Sequence, residues 1–116
     1  MQDLIITICR DTRNVKTSRN FLGVCCENGQ GNIIIDFTDK EEFIDGTCKF
    51  FYGKNSVSTT KNATQKTYST PITSAMLSNA GQVVCQIKIE GTSSSSGKPV
   101  FKSELFKLSC LDAVDV

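Results

Sequence analysis

The chain of 116 residues contains no histidine, and that absence bounds its chemistry before anything else does. Histidine is the commonest general base near neutral pH, the usual zinc ligand, and the partner in Ser-His and Cys-His nucleophile pairs. The carboxylates are scattered, with no spacing that pairs an acid with a base. The sequence therefore predicts a protein that binds rather than catalyses, and no catalytic or cofactor-binding residue is assigned.

Six cysteines (Cys9, Cys25, Cys26, Cys48, Cys85 and Cys110) are the next reactive set. None forms a Cys-x-x-Cys pair, so zinc-ribbon and thioredoxin-type spacings are absent. Met1-Gln2-Asp3 has no basic n-region of a secretory signal, and a reducing compartment favours thiols over bridges. Cys25 and Cys26 point to opposite faces of a strand, so one of them is placed to pack opposite Cys85. Buried thiols are the favoured reading there, with a disulfide as the alternative.

Charge adds two clusters. Asp36, Asp39, Glu41, Glu42 and Asp45 lack the Asp-x-Asp-x-Asp-Gly pattern of a calcium loop and read as a solvated acidic turn, so no metal site is assigned. Arg10, Arg13, Lys16 and Arg19 recur every third residue, a basic strip that could meet phosphate or an acidic partner surface. With only Phe21 nearby as an aromatic, they read first as an exposed loop and next as a candidate contact for a partner protein. Thirteen Lys plus Arg against twelve Asp plus Glu leave a net charge of +1, which gives no field for nucleic acid or an anionic membrane. Asn62-Ala63-Thr64 matches a glycosylation acceptor, which needs an export route for which nothing in the sequence argues.

The elements that position these residues follow a period of two. Leu4, Ile6 and Ile8 share one face of a first strand, and Ile33, Ile35 and Phe37 one face of another. Val83, Cys85, Ile87 and Ile89 face inward in the clearest strand, and Phe106, Leu108 and Cys110 in a final strand from about Val100 to Leu111. Cys48, Phe50 and Tyr52, or the complementary set, face inward in an aromatic strand. Residues 10 to 20 read as a loop in which Lys16-Thr17-Ser18 could form a short edge pairing.

Turn chemistry punctuates the strands. Asn28-Gly29 predicts a tight turn between antiparallel strands, Asp45-Gly46 another turn, and residues 91 to 97 a hairpin loop. Residues 53 to 65 carry little pattern. Residues 73 to 79 offer a cap and an apolar pair for one short helical segment of about two turns. Seven to nine short strands with almost no helix predict an all-β, immunoglobulin-like antiparallel β-sandwich in one domain over residues 1 to 116.

The opening Leu4-Ile5-Ile6-Thr7-Ile8, Arg10-Asp11-Thr12-Arg13 and Phe21-Leu22-Gly23-Val24 resembles a phage protein family. So do Tyr68 to Pro71, the stretch from Thr73 to Val83, and Gly97 to Leu108. Together these are similar to the N-terminal immunoglobulin-like domain of bacteriophage baseplate upper proteins. The resemblance implies a virion structural module of a tailed phage or prophage, assembled in the bacterial cytoplasm into the tail baseplate. It also implies docking onto tail hub or baseplate proteins, a homo-oligomer in the particle, and a longer protein whose following region carries helices and host-recognition parts. Six cysteines are more than such domains are expected to carry.

A second reading is a carbohydrate- or host-surface-binding sandwich, in which exposed aromatics stack on sugar rings. The chain has no Trp, and the core claims most of Phe50, Phe51 and Tyr52.

Overall fold

In the computed structural model, alternating residues take opposite faces along strand after strand, as the period of two requires. The structure describes residues 3–24, 31–73, 75–78, 81–91 and 100–111. Eleven strands occur among them: β1 (Leu4–Ile8), β2 (Val15–Thr17), β3 (Phe21–Val24), β4 (Asn32–Phe37), β5 (Gly46–Tyr52), β6 (Asn55–Ser58), β7 (Thr60–Asn62), β8 (Thr67–Pro71), β9 (Gly81–Gly91), β10 (Val100–Lys102) and β11 (Phe106–Leu111). One sheet has the order β2-β1-β4-β8-β7, and the other β3-β11-β9-β5-β6 with β10 also paired to β9.

The two sheets enclose one apolar core. Leu4, Ile6 and Ile8 are fully buried, as are Ile33 and Ile35 beside them on β4 and Phe50, Ile87 and Ile89 from the second sheet. Burial of each such side chain is worth about 1.5–3 kcal/mol. The inward set of β5 is Cys48 and Phe50 with Tyr52 half-buried, which settles the choice between its two faces.

Several expectations need correction. The sandwich is not wholly antiparallel, because β1 pairs parallel with β4 and β11 parallel with β3. The chain leaves the first sheet for β3 and returns in β4, so β1 and β4 run in one direction. The Asn28-Gly29 turn lies outside the described residues, but β3 and β4 sit in different sheets and form no hairpin.

Residues 75 to 78 form a turn, with the Met76 amide donating to the Thr73 carbonyl at 3.1 Å, and no helix is assigned there. Met76 and Leu77 are buried, so the apolar pair was drawn by the core rather than by a helix. The helical turn among the described residues is a 3-10 turn over Lys40–Glu42, capped by the Asp39 carboxylate.

The polar stretches hold more strand than their patterning suggested. Edge strands are exposed on one side and need little apolar content, and β2, β6 and β7 are of this kind. Gly53 at φ 62° supplies the positive φ for the two-residue turn between β5 and β6. Gly46 does not make a turn. It opens β5 against Gly91, and a Cβ there would fall on the Glu90 carbonyl.

Tyr68 joins the sheets. From β8 its hydroxyl donates to the Ile44 carbonyl at 2.5 Å and accepts the Gly46 amide at 3.0 Å, while its ring stacks on Phe43 at 5.5 Å.

Candidate functional site

The predicted basic strip divides in the fold. Arg10 and Arg13 stand in the loop of residues 9 to 14 that joins β1 to β2, where the Cys9 amide donates to the Asn14 carbonyl and the Arg13 amide to the Cys9 carbonyl. Lys16 is exposed in the middle of edge strand β2, opposite Thr7. Arg19 follows β2, half-buried, and donates to the carbonyls of Phe21 at 2.9 Å and Leu22 at 3.0 Å with its guanidinium over the Phe21 ring. The four cations are therefore not one surface.

Arg13 acts first as a clip between the sheets. It sits at φ 63°, its guanidinium lies 5.3 Å from the Phe101 ring, and its Nη1 donates to the Lys102 carbonyl at 2.8 Å. The Glu104 amide donates back to the Arg13 carbonyl at 3.0 Å, and the Glu104 carboxylate accepts the Val15 amide at 2.7 Å. A cation above an aromatic face adds about 0.5–1 kcal/mol at an exposed site. Arg10, Asp11 and Arg13 also line a cleft of about 310 Å3 with Ile44, Val100 and Phe101. Two of the four predicted residues thus meet in a concave site.

Three carboxylates of the acidic segment have partners. Asp36 pairs with Lys40 at 2.5 Å, Asp45 with Lys61 at 2.5 Å, and Asp39 accepts the Glu41 amide at 3.0 Å. Among the described residues no group of three or more His, Cys, Asp or Glu could hold a metal ion.

Cys48 and Cys85 are buried free thiols. Burial pushes both up to about 12, with the Thr59 hydroxyl opposing the shift at Cys48 and the Leu108 backbone opposing it at Cys85. A thiol held that far from its thiolate is inert as a nucleophile. Cys25 and Cys26, and hence their proposed packing against Cys85, lie outside the described residues.

Sequence reasoning missed a second basic feature. Strand register sets Lys88 on β9 directly opposite Lys49 on β5 and directly opposite Lys102 on β10. Each of the three reads alone as the polar partner of an inward residue. Only the order of the strands, which the sequence does not state, aligns them.

These features define a two-sheet all-β sandwich domain whose chemistry lies in exposed loops and sheet faces. No family model matches the chain, and no curated protein matches it in sequence. Among solved structures, the fold is similar to the N-terminal domain of ORF48 of phage TP901-1, with a TM-score of 0.63 and 11% identity over 96% of this chain and 99% of that one. At that identity the likeness is one of fold. Among the described residues no helix is long and apolar enough to cross a membrane.

Proposed function

We propose that this domain is a virion structural module of a tailed bacteriophage or prophage that docks a baseplate component onto the tail hub through protein-protein contacts. The observation that carries the reading is the end-to-end match in fold to the N-terminal domain of a phage protein. It agrees with the resemblance to the immunoglobulin-like domain of baseplate upper proteins that the Leu4 to Val24 and Tyr68 to Leu108 segments carry. In this reading the domain is not an enzyme, repeats as a homo-oligomer in the particle, and presents sheet faces and the Arg13 loop to its neighbours.

One observation favours glycan binding as a second reading. Tyr52 lines a cleft of about 360 Å3 together with Lys54, Asn55 and Gln82, a ring and amides of the kind that hold a sugar. Phe50, however, is fully buried, Tyr52 is half-buried against it, and Phe51 is half-buried on the opposite face of the strand, away from this cleft, so little aromatic face is left for stacking there.

Mixing the purified chain with a tail hub protein of the same phage or prophage, and weighing the complex by light scattering, separates the two. The structural reading predicts a stoichiometric complex and no retention on glycans. Tight glycan binding without a hub complex contradicts it.

A further inference from the structure

We propose that the outer face of the β3-β11-β9-β5-β6 sheet, centred on Lys49, Lys88 and Lys102, docks a carboxylate-rich segment of a partner protein. The inference rests on the protein-docking reading above and names the surface and its chemistry. The alignment of the three lysines is a property of the backbone. The Cys48 carbonyl accepts the Thr59 amide and the Ile87 carbonyl accepts the Ser103 amide, so both point away from the β5-β9 seam. By alternation, Lys49 and Lys88 form a hydrogen-bonded pair across that seam. The Lys102 carbonyl faces away from β9, toward Arg13, so Lys88 and Lys102 form the closer, non-hydrogen-bonded kind of pair.

Neighbouring strands stand about 4.7–4.9 Å apart, so the three ammonium groups share a strip on the order of 10 Å wide. Like charges directly opposite one another destabilise a sheet. Glu90 offsets part of this through a 3.2 Å pair with Lys88, while among the described residues neither Lys49 nor Lys102 has an ion-pair partner. The adjacent Cys48, Phe50, Ile87, Ile89 and Phe101 are buried, which holds the lysines outward. Lys102 lies on the short strand β10, which among the described residues pairs with β9 alone, but Lys49 and Lys88 face each other across two interior strands, where no edge needs protecting. Repulsion maintained there suits a row whose counter-charge arrives with a partner.

The same face points to protein as the source of that charge. Val84 and Val100 are 44% and 49% exposed on it, and Phe51 is half-buried there. Apolar groups interleaved with cations fit a protein interface better than a phosphate backbone. A net charge of +1 for the whole chain removes the general field that nucleic-acid binding uses.

The test measures binding of a labelled oligoglutamate peptide by anisotropy at low salt, with heparin and an oligonucleotide as competitors. The row predicts that Lys49→Gln/Lys88→Gln/Lys102→Gln weakens oligoglutamate binding by roughly tenfold or more, while Lys16→Gln changes it by less than about twofold. The triple variant should melt at or above the temperature of the native chain, because repulsion is removed. The single exposed change Lys102→Glu should weaken binding in the same direction. Unchanged binding by these variants, no binding by the native chain, or a clear preference for heparin or oligonucleotide overturns the proposal. A hub complex that forms undiminished with the triple variant also overturns it, and leaves the docking function standing. Oligoglutamate held by the row in a chain that ignores the hub supports the surface and defeats that function.

Discussion

The Tyr68 hydroxyl donates to the Ile44 carbonyl at 2.5 Å, so a side chain from one sheet closes the backbone at the entry to a strand of the other. The same oxygen accepts the Gly46 amide, and removing it leaves both backbone groups without this partner. Tyr68→Phe is therefore expected to destabilise the domain by about 1–3 kcal/mol. Urea denaturation with an unchanged slope and a lower midpoint would show it. A midpoint equal to the native one would mean that the hydroxyl contributes nothing between the sheets.

Alkaline pH should loosen the fold. Burial raises Tyr68 from 10.0 to about 12, and Cys48 and Cys85 from 9.0 to about 12. Each folded-state pKa lies above its unfolded value, so their contribution is fully present below pH 9 and is lost as pH rises through 9 to 12. Stability measured by denaturant titration should be level into the range of pH 9 and fall beyond it. Constant stability up to pH 11 contradicts the burial of these groups.

Gly46 offers a steric test. Gly46→Ala places a methyl group on the Glu90 carbonyl and forces β5 away from β9. A loss of roughly 1–3 kcal/mol, the usual range for overpacking, is expected in thermal or urea unfolding. At Gly53, which has open space around it, alanine meets no neighbour and is disfavoured only by its φ of 62°. Gly53→Ala should therefore cost less than Gly46→Ala.

The clip at Arg13 can be read by hydrogen exchange. Glu104→Ala removes the acceptor of the Val15 amide, so that amide should exchange faster while those of the β9 core keep their protection. Arg13→Gln should produce the same local opening by freeing the loop from Phe101 and Lys102. Protection at Val15 that survives both changes would show that the loop is held elsewhere.

Period two made the core legible in advance: Leu4, Ile6 and Ile8, then Ile33, Ile35 and Phe37, then Cys85, Ile87 and Ile89 are buried as their alternation required. Edge strands gave no such signal, because β6 and β7 carry exposed Ser, Thr, Asn and Lys, whose pattern is that of a loop. Asn28-Gly29 speaks for a turn and not for which sheet receives the next strand, so local pattern does not reveal that the chain changes sheet between β3 and β4. Arg13 stands out in the sequence for its charge alone, yet its contact with the Phe101 ring and its hydrogen bond to the Lys102 carbonyl join positions almost ninety residues apart. The lysine row depends in the same way on long-range strand order. Local pattern found the strands and most of their inward faces, and pairing decided which surface residues meet.

The central claim is that this domain belongs to an assembled phage particle. Gold-labelled antibody raised against the purified domain, applied to particles released by the host that carries the gene and viewed by electron microscopy, addresses it most directly. The account predicts label at the tail tip, in several copies per particle. Particles with bare tails, with the antigen confined to the cell fraction, would contradict it.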